Sequence, residues 1–476
     1  MQMISFVFFA FAAVVFFALR LTNTLAKDDG QKVKVTKWIL LAASYLFVAY
    51  ADILFALVLA ALTVIVWLCA KNKKNIKWGI LAAILALGFF KYTNFFMESF
   101  CRLVGKDFTA LNIILPLGIS FYTFSAIGYL IDVNRGKEEV RSFVDVATYL
   151  SFFPKLTSGP IQRSKEFFAE LNRTRNPGWE SFSTGLQIFV FGMFKKLVLA
   201  DRLSVFVNQV FNTPMAFGGG TILLAVLAYA LQIYFDFSGY SDIAVGAARI
   251  FDIHLPRNFN LPYLSRNVTE LWKRWHISLS SWLQDYLYIS LGGNRKGVVR
   301  TYVNLILTMV IGGIWHGASW NFIIWGLLHG VSLAVHKLWM QLTGSAKKEQ
   351  GPLTAILSTL VTFLFVCVTW VFFRASTFRD AMTILGRILT FSPGVQHMNI
   401  WVFFAAGVFA AGAVAAMIAS RGKKPTGKYK NQSPVDAFYP ILDLTKFWRL
   451  VLFFVFFGLI LGLAYTGGSP FLYGAF

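Results

Sequence analysis

Residues 303–338 read VNLILTMVIGGIWHGASWNFIIWGLLHGVSLAVHKL, two apolar runs (303–314 and 322–338) joined through Trp315-His-Gly317. A helix needs roughly 20 apolar residues to cross about 30 Å of hydrocarbon, so the pair reads as two membrane-embedded helices. Outward from it the pattern repeats. Further apolar runs fall at 1–19, 38–70, 78–96, 111–130, 182–199, 222–235, 243–251, 353–373, 401–418 and 447–464. The 38–70 run is too long for one helix and is interrupted at Ala51-Asp52, which predicts a hairpin of two short helices. Counting short and interrupted segments, the expectation is an all-α, polytopic integral membrane bundle of about 11 to 13 membrane-embedded helices.

Composition leads to the same class. Hydrophobic residues make up 57% and charged residues only 14% of 476, with a mean hydropathy of +0.61. A soluble domain carries about 25% charge, so this chain has too little polar surface to cover its apolar volume. Lys and Arg total 44 against 22 Asp and Glu, a net charge of +22. The basic residues stand in short clusters between apolar runs, as the positive-inside rule requires. That placement points mostly to topology rather than nucleic acid, and leaves open a secondary role in attracting anionic lipids or a phosphate-bearing cytosolic donor. Cys69, Cys101 and Cys367 are dispersed, which fits neither a disulfide framework nor a metal site. The first run precedes its basic residues, Arg20, Lys27, Lys32, Lys34 and Lys37. A secretory signal has the opposite order, so a retained span with its amino end outside the cytosol is expected.

One membrane domain, 1–476, is the simplest organisation: scaffold helices at 1–110, a core at 111–340 and further scaffold at 341–476. Asp236, Tyr240, Ser241 and Asp242 interrupt an apolar region. Backbone leaves the helix at membrane depth only where protein or a water-filled cavity surrounds it. The stretch 149–288 is therefore expected to hold re-entrant or interfacial helices around a cavity. Residues 421–440, with five basic residues by Lys430, read as a cytosolic loop.

Among six histidines, His316 stands out, flanked by glycines and enclosed by apolar sequence. An ionisable group within a membrane segment marks a functional site by default. A core histidine bonded to a carbonyl, with glycines serving helix packing, fits the same residues. His276 lies in Glu270-Leu-Trp-Lys-Arg-Trp-His-Ile-Ser-Leu-Ser-Ser-Trp282. Helical spacing there places Trp272 and His276 on one face. An interfacial helix anchored by Trp and Lys/Arg is one reading, and a helix presenting His276 to a cavity is the other. His254, His336 and His397 read as structural or solvated. The Leu291-Gly-Gly-Asn-Arg-Lys-Gly297 loop lacks Walker spacing, so nucleotide hydrolysis is not supported. A helix C-cap with basic cytosolic residues explains the loop as well, and Arg295 and Lys296 as contacts for an anionic donor are the other reading.

An ordered set of motifs now accumulates: Pro116-Leu-Gly-Ile-Ser-Phe-Tyr-Thr-Phe124, Ile131-Asp-Val-Asn-Arg135, Phe153-Pro154 with Gly159-Pro160-Ile161, and Asp236-Phe-Ser-Gly-Tyr-Ser-Asp242. It continues through Asn258-Phe-Asn-Leu-Pro-Tyr263, Arg274-Trp-His-Ile-Ser278, Asp285-Tyr-Leu-Tyr288 and Trp315-His-Gly317. From about 115 to 330 the chain resembles the membrane-bound O-acyltransferase family, in its bacterial branch that O-acetylates exopolysaccharides such as alginate. The resemblance implies a central cavity reached from both membrane faces, with His316 as the essential histidine and His276 as a second one. Trp315, Arg274 and Asp285 lie in the matching motifs and join Arg295 and Lys296 as substrate- or donor-binding candidates. It further implies acetyl-CoA, or another acyl thioester, as donor substrate, with no bound cofactor and no metal. The implied acceptor is an extracytoplasmic polysaccharide, reached with an SGNH-hydrolase-like acetyltransferase partner. The implied location is the bacterial cytoplasmic membrane. A D-alanyl transferase for teichoic acids, fed by a carrier-protein thioester, and a transporter of a lipid-linked intermediate are the competing functions.

Overall fold

A computed structural model describes residues 3–344, 351–420, 439 and 441–467, and the described residues are helical with no strand. Nine helices among them are long and apolar enough to cross a membrane. Phe447–Leu463, 17 residues long, is a shorter apolar helix. Asp29–Ala49 adds 21 residues with a basic first half. The expected linker at 421–440 lies outside the described residues apart from Tyr439. The chain divides into two compact units, Met1–Val190 with Ser241–Pro256, and Phe191–Tyr240 with Arg257–Phe476.

In the first unit the predicted break at Ala51-Asp52 is present. Asp29–Ala49 and Ile53–Ala70 are separate helices, and the Asp52 carboxylate caps the second by accepting from the Leu54 N–H. The expected helix at 111–130 instead spans Ile119–Asn134. Pro116 precedes it, and Gly118 at φ 75° takes a left-handed turn that starts the helix there. Phe8, Phe47 and Phe189 form a ring cluster, with Phe8 stacked on Phe189 at 6.0 Å. Gly185 and Gly246 mark a close helix crossing, since a Cβ on Gly185 would lie 2.5 Å from the Ile250 nitrogen. Small residues let backbones approach in this way where lipid supplies no hydrophobic drive.

The second unit is built on the hairpin predicted from 303–338. Val298–His316 and Trp320–Thr343 pack along their lengths. A Cβ on Gly313 would strike the Phe322 carbonyl, so the two backbones touch just below the turn. One expectation is overturned here. Asp236, Tyr240, Ser241 and Asp242 do not interrupt anything, because Gly219–Ile250 runs as one 32-residue helix through them. Asp236 is satisfied by a partner, described below, rather than by unwinding. Within 149–288, the region expected to hold short elements, Ser164–Leu171, Val268–Arg274 and Ile277–Trp282 are too short to cross a bilayer.

Candidate active site

His316 is the last residue of Val298–His316, and the chain passes through Gly317 to Ser319, which caps Trp320–Thr343 by accepting from the Asn321 N–H. The imidazole is 4% exposed. It is walled by rings: Trp315 at 4.8 Å between centroids, Trp325 at 5.0 Å edge-on, and Phe373 at 5.2 Å. A Cβ on Gly317 would collide with the Phe322 ring, so glycine is what lets this wall close. The arrangement removes water from around the imidazole.

His276 reaches the same cluster by another route. The stretch 268–282 is not one amphipathic helix, contrary to the spacing argument. It breaks at His276, whose φ of 41° and ψ of 55° are left-handed. Such a conformation costs a non-glycine residue about 1–3 kcal/mol and persists only where surroundings enforce it. Here the Ile277 N–H donates to the Asn258 carbonyl at 2.9 Å, and the Asn260 N–H donates to the Arg274 carbonyl at 2.9 Å. The Ser278 N–H donates to Asn258 Oδ1 at 3.2 Å. The bend turns His276 inward to complete burial, with Phe237 at 4.6 Å and Trp315 at 6.5 Å between ring centroids. Burial holds its pKa well below the usual imidazole range, so the ring is neutral. Trp272, Trp275 and Trp282 are buried too, so they do not serve as headgroup anchors.

Trp315 therefore stands between the two imidazoles, and His276, Trp315 and His316 form one cluster. The remaining candidates sit elsewhere. Arg274 pairs with Glu270 at 2.6 Å. Asp285 is half-buried in a π-helical turn, Leu283–Tyr288. Arg295 and Lys296 are exposed just before Val298–His316, whose 19 residues put about 28 Å between them and His316.

Three residues of this unit escaped the sequence reading. His329, one turn after Trp325, packs on the Trp325 ring at 4.9 Å. The Thr369 hydroxyl donates to the Val366 carbonyl, so it accepts from His329 Nε2–H at 3.1 Å. That leaves His329 Nδ1 as a buried acceptor with no partner among the described residues. Trp325 Nε1 is likewise a buried donor without a partner among them. The third is Lys196. Its ammonium lies 2.6 Å from Asp236 and 2.7 Å from Asp201, and the three side chains are at most 4% exposed. The rule that singled out His316, an ionisable group inside an apolar run, applies equally to His329 and Lys196. No group of three metal-ligating side chains occurs among the described residues.

Residues 134–376 match the profile of the MBOAT, membrane-bound O-acyltransferase family. The chain belongs to this family. It is 36% identical over 466 residues to the Pseudomonas putida protein named Probable alginate O-acetylase AlgI, covering 92% of this chain and 94% of that one. It is 40% identical over 334 residues to the peptidoglycan O-acetyltransferase of Helicobacter pylori, covering 64% and 63%. It is 29% identical over 249 residues to the teichoic acid D-alanyltransferase of Streptococcus thermophilus, covering 49% and 60%. As a member of the family the protein is a multi-pass membrane O-acyltransferase.

Lys196→Met should be severely destabilising, because it leaves two carboxylates facing each other in an apolar interior. Removing one partner of a buried pair costs about 3–5 kcal/mol. Thermal unfolding of the detergent-purified variant would check this, and a midpoint within a degree of wild type would refute it.

Proposed function

We propose that this enzyme transfers an acyl group, acetyl in the first instance, from a cytosolic thioester to an extracytoplasmic hydroxyl, with His316 as general base. The acceptor is a polysaccharide, or a partner protein of the SGNH-hydrolase type that completes the transfer. The membrane is the bacterial cytoplasmic membrane. The observation carrying the reading is His316 itself, an imidazole at the tip of a spanning hairpin, sealed by aromatic rings. Arg295, Lys296 and Arg300 cluster at the other end of that hairpin, which the positive-inside rule assigns to the cytosol. His316 then lies toward the outer face, where the acceptor waits.

In the reaction the acceptor oxygen attacks the thioester carbonyl as His316 removes its proton. The carbon–sulfur bond breaks, and the imidazolium returns the proton to the departing thiolate. Negative charge on the carbonyl oxygen needs preorganised donors in a dry site. Trp315 and neutral His276 are adjacent, and the unpartnered Nε1–H of Trp325 is a third donor in contact with the His316 ring. The acetyl reading is favoured over D-alanyl transfer by the higher identity and coverage of the O-acetylating relatives. Membership in an acyltransferase family sets the transporter aside.

With labelled acetyl-CoA and membranes, His316→Ala should lower acetyl transfer by about 10²-fold or more, while expression and insertion stay normal. Wild-type-like acetylation would sink the assignment. Trp325→Phe keeps the ring but loses the donor, so kcat should fall about 10²-fold with little change in KM; an unchanged kcat removes Trp325 from the chemistry. Neutralising Arg295 and Lys296 together should raise KM for acetyl-CoA and spare kcat. An unchanged KM would leave them as topology signals.

A further inference from the structure

The first unit holds a cavity of about 510 Å³ between Phe6–Leu25 and the start of Trp179–Met193. Phe9, Ala13 and Phe16 form one wall and Phe182 the other, with Arg20 and Trp179 at one end. We propose that this groove binds a glycerophospholipid with an anionic headgroup, its phosphate on Arg20 and one acyl chain along the aromatic walls.

Arg20 Nη1 donates to the Pro177 carbonyl at 2.8 Å and to Asn176 Oδ1 at 3.3 Å. Both acceptors are neutral, and no carboxylate pairs with Arg20 among the described residues. Of the cations that follow it, Lys32 pairs with Asp29 at 3.2 Å and Lys37 pairs with Asp145 at 2.6 Å. Arg20 is thus held in place by carbonyls with its charge uncompensated, the state in which a guanidinium takes a phosphate bidentately.

Phe8 and Phe189 close the far end, where their rings stack, and Gly178 and Trp179 stand beside Arg20 at the near end. Twelve helical residues from Phe8 to Arg20 span about 18 Å, close to the roughly 15 Å of hydrocarbon in one leaflet. Trp179 is 54% exposed at the charged end, where an indole sits at headgroup level. The groove therefore offers one cation at phosphate depth and one chain-length of apolar wall. The basic residues that follow Arg20 place that end in the cytosolic leaflet, which is rich in anionic lipid.

The proposal stands apart from acyl transfer and is tested on the full chain, delipidated in detergent, by native mass spectrometry. Dioleoyl-phosphatidylglycerol and dioleoyl-phosphatidylcholine are offered in competition. Wild type should retain one phosphatidylglycerol in preference to phosphatidylcholine. Arg20→Gln keeps a donor for the Pro177 carbonyl but no charge, and should cut that preference about fivefold, the effect of one basic residue at an anionic surface. Ala13→Trp fills the groove and should abolish retention of the bound lipid while the protein stays monodisperse. Equal retention of both lipids by wild type overturns the proposal. So does an unchanged preference in Arg20→Gln, or undiminished binding in Ala13→Trp.

Discussion

A charge inside a membrane protein has to be paired, and the contact of Lys196 with Asp236 and Asp201 meets that constraint in the interior of the second unit. An apolar medium gives an unpaired ammonium or carboxylate no solvation. The pairing therefore fixes the rotation of Gly219–Ile250 about its own axis. That rotation presents Phe237, the residue after Asp236, to the edge of His276 at 4.6 Å. Lys196 itself lies in a π-helical turn, Phe194–Ala200, a local widening often found at functional sites. The ion cluster, the helix rotation and the histidine position are one mechanical chain.

Rings finish what the charges begin. Trp325 lies between His316 and His329, touching both at about 5 Å between centroids. Edge-on packing of this kind contributes beyond its buried area and fixes imidazole planes without occupying their nitrogens. The hairpin backbones meet at Gly313, so the turn carrying His316 has little freedom to move. Rigidity of the support is what the role proposed for His316 requires, since its nitrogen would have to meet an incoming hydroxyl within hydrogen-bond distance.

Much of this was legible beforehand, because hydropathy and helix length are local properties. The hairpin around Trp315-His-Gly317, the break at Asp52 and the class of the fold follow from runs of apolar residues against the bilayer's thickness. The errors share one cause. Asp236 to Asp242 read as a break because polar residues at membrane depth need partners, and the partner of Asp236, Lys196, lies 40 positions away. The 268–282 stretch read as a continuous helix because its period is helical. The Asn258 and Asn260 contacts that bend it at His276 come from an adjoining loop.

By itself, then, the sequence determined a helical membrane protein and singled out His316, since an ionisable residue in an apolar run is conspicuous wherever it occurs. Its ordered motifs gave the family resemblance. Tertiary structure alone decided which groups share a site: that His276 turns inward, that His329 and Trp325 join it, and that Arg295 and Lys296 stand a helix length away. The physical reason is that burial and hydrogen-bond pairing depend on neighbours distant in the chain, which no local period encodes.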